Sequence, residues 1–186
     1  MKVIDILKES AELLGLAKQA TLLNEQDETK EPEIMQDQEV ATLMNLFRFS
    51  TRELCTNYIP VTTIKTIKTV DNKFPINELT NYVRIVKVMQ NGQPVATKIL
   101  NRNLVFVLDG EYEVEYCAYP EINSIFEEID FLPTFNADVL IYGLCAYFSI
   151  ARGMFEEFEN YHENYKNKAE SIRALKTFVM PQRRWE

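Results

Sequence analysis

Histidine is almost missing from this chain: His162 is the only one in 186 residues. It falls in Glu159-Asn160-Tyr161-His162, an E-x-x-H step that puts acid and imidazole on one helical face. A di-iron carboxylate site needs two such steps and two more glutamates, so a single histidine cannot complete it. Nor can a Ser-His-Asp or Cys-His set be assembled, because Cys55, Cys117 and Cys145 all lie in apolar-rich stretches. Those three cysteines are odd in number and widely spaced, with no CxxC pair, which excludes a zinc ribbon or a redox dithiol. They read as buried thiols of a reducing compartment. Glycine is scarce as well, and its five residues never cluster, so no loop can cradle a phosphate. Positive charge is in deficit: 20 Lys and Arg against 28 Asp and Glu leave a net charge of -8. A nucleic-acid reader needs a basic face to neutralise phosphates, and this chain has no surplus to build one. Long apolar runs are missing too. The longest candidate, 137–150, is interrupted by Asp138 and falls short of the ~18 residues that a membrane span requires. The start, Met1-Lys2-Val3-Ile4-Asp5-Ile6, lacks the apolar stretch and cleavage site of a signal peptide, so synthesis in the cytosol is expected. Paired acids such as Glu127-Glu128 and Glu156-Glu157 have no apolar pocket in the sequence to separate their roles and read as wet surface. No enzymatic activity, cofactor or metal is expected.

What is present is a hydrophobic fraction of 46%, enough for a core. Val3, Ile6, Leu7, Ala11 and Leu14 recur at helical spacing and predict a first helix over 2–16, which Gly15 weakens or ends. Residues 24–39 carry seven acids against one lysine and read as a solvated acidic loop or linker. A second helix is predicted over 38–58, capped by Asp37, with Val40, Leu43, Met44, Phe47, Leu54 and Cys55 on one stripe. From 61 to 119 the period changes to two. Strands are predicted over 62–70, 82–89, 95–100 and 104–108, with Asn91-Gly92 and Asp109-Gly110 as hairpin turns. After the second turn, Tyr112, Val114, Tyr116 and Ala118 alternate with Glu111, Glu113, Glu115 and Cys117, which makes one face buried and the other acidic. Residues 120–132 form an acidic loop, and Pro133 stands near the first turn of the next helix.

Two further helices follow. The third should turn Val139, Leu140, Gly143, Leu144, Tyr147 and Ile150 inward, with Gly143 and Ala146 admitting a close neighbour. The fourth should turn Phe155, Phe158, Tyr161, Tyr165, Ala169, Ile172 and Leu175 inward, and Gly153 between them makes an antiparallel hairpin. The expected fold class is α+β and mainly helical: a helical bundle with a C-terminal antiparallel helix hairpin and a small antiparallel β-sheet insert. Its expected divisions are helical segments 1–60 and 130–175, a β insert 61–120 and a tail 176–186. Gly143, Tyr147, Phe155, Phe158, Tyr161 and Tyr165 are the expected packing residues between helices or subunits.

The tail ends Met180-Pro181-Gln182-Arg183-Arg184-Trp185-Glu186 and holds the only tryptophan. Trp and Arg are the residues that most often anchor protein–protein contacts. Burying a Trp removes roughly 150–250 Å² from water. That is worth at most about 4–6 kcal/mol before ordering costs. The alternative is that Trp185 packs back on its own helices.

The order of elements resembles that of tailed-phage head–tail connectors, in particular the head-completion adaptors of short-tailed phages. The resemblance is carried by Val3-Ile4-Asp5-Ile6-Leu7 with Leu14-Gly15, by Glu115-Tyr116-Cys117-Ala118-Tyr119-Pro120, and by Leu132-Pro133 with Leu140-Ile141-Tyr142-Gly143-Leu144-Cys145-Ala146-Tyr147. Gly153-Met154-Phe155-Glu156-Glu157-Phe158, Tyr161 and Tyr165, and finally Arg183-Arg184-Trp185 continue it. The resemblance implies a virion protein, monomeric before assembly, whose helical part builds a twelvefold ring beneath the portal protein. It also implies a platform for downstream tail or nozzle proteins and a channel through which DNA passes without specific binding. Met180, Pro181, Gln182, Arg183, Arg184 and Trp185 would then dock on the portal. The alternatives are a neck or tail ring component that does not touch the portal, and a small cytosolic enzyme.

Overall fold

A computed structural model describes residues 1–25, 27–131 and 137–177, the last four without their side chains. The chain divides into two compact units, one of residues 1–54 with 122–186, the other of residues 55–121.

In the first unit, α1 (Val3–Leu13) buries Val3, Ile4, Ile6, Leu7 and Ala11. Its start is held by the later acidic loop: Val3 N donates to the Glu127 carbonyl at 2.9 Å and Ile4 N to the Ile125 carbonyl at 2.6 Å. The helix stops before Gly15, whose φ of +71° is the left-handed conformation that glycine adopts without steric cost. A short α2 (Ala17–Leu22) follows. The segment expected to be a solvated loop is instead structured. A 3-10 turn (Glu28–Lys30) leads into α3 (Glu31–Ile34), where Ile34 is buried. Glu31 accepts from Ser124 Oγ at 2.7 Å and Ile125 N at 2.9 Å, so one of its acids ties two loops together.

Helix α4 (Gln38–Asn57) begins where Asp37 Oδ1 accepts from Glu39 N at 3.0 Å and Val40 N at 3.3 Å. Lys18 and Gln19 of α2 also donate to Asp37. The Lys18 bond, then that from Gln19, lowers its carboxyl from 3.8 to about 2. Helices α5 (Asp138–Ala151) and α6 (Phe155–Thr177) pack against each other along their lengths. They are joined by Arg152-Gly153-Met154, with Gly153 at φ +73°.

The second unit holds seven strands: β1 (Val61–Lys68), β2 (Lys73–Pro75), β3 (Tyr82–Gln90), β4 (Gln93–Pro94), β5 (Lys98–Leu100), β6 (Asn103–Val105) and β7 (Glu111–Ala118). They form two antiparallel sheets, of order β1-β7-β3-β4 and β2-β6-β5. Ile67, Phe74, Leu79, Val88, Leu104, Phe106, Tyr112, Val114 and Tyr116 make one shared core. The alternation read in β7 is visible as buried Tyr112, Val114 and Tyr116 beside exposed Glu111 and Glu113, although Cys117 on the acidic face is buried.

The expected fold class needs correction. The chain is about 48% helix and 23% strand, with a four-stranded and a three-stranded sheet in its middle, rather than a mainly helical bundle with one small sheet. The physical reason lies in the turns. Asp71-Asn72 and Asn101-Arg102 have positive φ at both residues, the geometry of tight two-residue hairpins. Only Asn91-Gly92 among such pairs was expected. The unforeseen turns cut the segment into shorter strands and add β2. Of the strand expected over 95–100, only Lys98–Leu100 forms (β5), while β4 precedes it at Gln93–Pro94. Asp109-Gly110 is not a hairpin turn, because β6 pairs with β2 and β5 while β7 pairs with β1 and β3. Its role is a clasp: Gly110 N donates to Thr69 Oγ1 at 2.9 Å, and Asn72 N to Asp109 Oδ1 at 2.6 Å.

Candidate functional site

The residues expected at helix or subunit contacts separate into two groups. Gly143 and Tyr165 form the buried group. A Cβ placed on Gly143 would lie 3.1 Å from two ring carbons of Tyr165 and 3.4 Å from Cβ of Ser50. Three helices, α4, α5 and α6, thus meet at a position where only hydrogen fits comfortably. The Tyr165 hydroxyl reaches through this junction to donate to the Glu53 carboxylate on α4. At the other end of α5, Arg152 pairs with Glu39 near the start of α4, so α4 and α5 run antiparallel.

Tyr161 and Phe158 occupy the margin. The Tyr161 hydroxyl donates to the Leu13 carbonyl at 3.2 Å, which links α6 to the end of α1. Phe158 is half-buried and stacks on His162 one turn later, with ring centroids 5.1 Å apart. Tyr147 and Phe155 depart from the inward placement. Tyr147 is half-buried and meets Phe49 of α4 edge-on at 4.8 Å, where Phe49 is itself 54% exposed. Phe155 is 66% exposed at the first position of α6, and Ile150 is also exposed. The reason is local: a residue in the first turn of a helix beyond a short connection lies past the end of its neighbour. The first unit therefore presents aromatic surface at Phe49, Tyr147 and Phe155. Met180, Pro181, Gln182, Arg183, Arg184 and Trp185 lie outside the described residues, and the Leu175 side chain does too.

Burial pushes the Cys145 thiol up to about 12, against a weaker opposing contact with the Ser10 carbonyl, so the thiol is not a nucleophile at neutral pH. Among the described residues, no group of His, Cys, Asp and Glu is arranged to hold a metal ion. Among them too, no helix is long and apolar enough to cross a membrane.

Sequence reasoning missed several placements. Phe49 falls off the apolar stripe of α4, and only its type marks it. Glu53 as the partner of Tyr165 lies 112 residues away in sequence, a separation no periodicity bridges. An open groove of about 720 Å³ in the second unit was also missed. Asn77, Asn81, Asn101 and Asn103 line it with Arg102, Tyr82 and Tyr119. The recurring asparagines were a usable signal, since Asn is the residue most tolerant of positive φ after glycine. No protein-family model and no curated protein matches the chain.

Proposed function

We propose that this chain is a structural subunit of a phage head–tail connector, an adaptor that forms a ring between portal and tail and extends the DNA channel. The single observation that carries this reading is the aromatic surface of the first unit: Phe49 and Tyr147 meet edge-on at the margin of α4 and α5, and Phe155 stands exposed at the start of α6. Exposed aromatics on rigid elements are what a subunit contact uses as anchors. The resemblance of the chain's motifs to such adaptors gives the contact its proposed identity.

Two further properties support the reading. Net charge of -8 suits a wall past which duplex DNA must slide, since DNA carries one negative charge per ~1.7 Å of axis. Repulsion at such a wall prevents persistent ion pairs. Met180-Pro181-Gln182-Arg183-Arg184-Trp185 supplies an aromatic and two guanidinium groups able to pair with acidic grooves on the portal. Repetition around a ring multiplies a modest contact through effective concentration.

A pull-down with the portal protein of the same phage tests this. Removal of residues 182–186 is expected to leave the melting temperature unchanged and to abolish capture. Full capture of the truncated chain would count against docking by the tail.

A further inference from the structure

The second unit carries a site that the adaptor reading does not use. Its groove is bounded by the β5–β6 turn, by the 3-10 turn Ile76–Glu78, by Asn81 before β3 and by Tyr119 after β7. Two backbone bonds hold the rims in place: Ile76 N donates to the Arg102 carbonyl at 3.0 Å, and Tyr119 N to the Asn81 carbonyl at 3.2 Å. Its volume of about 720 Å³ lies within the roughly 300–1,000 Å³ typical of small-ligand sites.

The polar side chains in this groove are neutral or cationic: four asparagines, two tyrosines and one arginine. Among the described residues that line it there is no carboxylate, although the chain as a whole is strongly acidic. Asn77, Asn81 and Arg102 make no side-chain hydrogen bond within the described residues. Arg102 sits at φ +61°, the second residue of a two-residue turn that Gly or Asn would occupy at lower cost. The turn itself gives no reason for arginine. A long cation is held in an unfavourable backbone conformation, beside a groove, with no partner of its own. Observed strain of this sort points towards a ligand.

We propose that this groove binds a saccharide bearing a carboxylate, of the uronic-acid class. Each carboxamide offers one acceptor and two donor hydrogens, which matches the paired hydroxyls of a sugar ring. Tyr82 and Tyr119 supply flat apolar faces with a polar tip. The guanidinium of Arg102 takes the carboxylate by two parallel N–H···O bonds. A long duplex nucleic acid is disfavoured, because one cation cannot offset a backbone of phosphates.

The site lies within the second unit, so its test needs neither ring nor portal. Calorimetric titration of the full chain compares β-1,4-linked triglucuronic acid with cellotriose, which shares its linkage but lacks the carboxylates. The acidic sugar is expected to bind roughly tenfold tighter, the worth of one guanidinium–carboxylate pair weakened by solvent at an exposed arginine. Arg102→Asn places a residue better suited to positive φ and is expected to erase that preference without lowering the melting temperature. Asn77→Ala, at an exposed position, is expected to weaken both sugars. The proposal is overturned if neither sugar binds at millimolar concentration, or if Arg102→Asn leaves the preference intact. It is equally overturned if Asn77→Ala binds both sugars as the parent does, or if a capped triglutamate peptide binds more tightly than the triuronate.

Discussion

Helices α5 and α6 lie side by side in the first unit and solve opposite problems. Along α5, Val139, Leu140, Ile141, Gly143, Leu144, Cys145, Ala146, Phe148 and Ser149 are all buried, so the helix is enclosed on nearly every side. Along the described side chains of α6, burial is confined to Tyr165, Ala169 and Ile172, one narrow stripe at four- and three-residue steps. An enclosed helix is a structural axle, held by α1, α4 and α6. A helix with one buried stripe keeps the rest of its surface free for solvent or for a partner. The contrast teaches where assembly contacts can form: on α6, on the margins of α4, and on α5 only along the narrow edge that carries Tyr147 and Ile150.

The largest test of this contrast is Gly143→Val on α5. Its branched side chain would displace the Tyr165 ring and crowd Ser50, and overpacking of this kind is expected to cost about 3 kcal/mol in urea unfolding. A loss under about 1 kcal/mol would mean that the junction has room to give.

Tyr165→Phe probes the same junction from α6. It keeps the ring and removes the hydroxyl that reaches Glu53. The expected loss is about 2 kcal/mol, since a bond to a charged acceptor is removed at a buried residue.

Asp37 sharpens the comparison by loosening α4, the helix against which both others pack. Its folded carboxyl lies at about 2, below the 3.8 of an unperturbed aspartate. The stabilisation is therefore complete above pH 3.8 and is lost as pH falls through that value towards 2. The shift corresponds to at most about 2 kcal/mol, discounted because Lys18 is largely exposed. Asp37→Asn should flatten the acid limb of a stability-versus-pH curve over that window. An unchanged limb would show that other carboxylates control it.

The smallest effect is expected at Phe155. Phe155→Ser should change stability by no more than about 0.5 kcal/mol, because the ring is largely in solvent. Under the proposed function the same change weakens ring formation. A variant that unfolds readily would place Phe155 in the core and erase the distinction between the two helices.

Legibility in the sequence followed the same division. The stripe Tyr165-Ala169-Ile172 was readable because a one-sided helix writes its period into the chain. The surroundings of α5 were not, because a helix buried on several sides has no polar face to show its orientation. Tyr147 and Ile150 were accordingly assigned inward although one is half-buried and the other exposed. Asp37 as a cap was legible from a local rule, whereas its partners Lys18 and Gln19 belong to another element. In the second unit, the alternation of β7 was plain. The division into two sheets was hidden, since Asp71-Asn72 and Asn101-Arg102 lack the glycine that usually marks a tight hairpin. The groove takes one rim from the Asn101-Arg102 turn, and its recurring asparagines were its one trace in the sequence.

The most direct measurement of the connector proposal is light scattering of the purified chain, alone and mixed with the portal protein of the same phage. The expected result is a monomer alone and, on mixing, a single complex whose added mass is that of a complete ring of this chain. Two species that keep their separate masses at every ratio would contradict it.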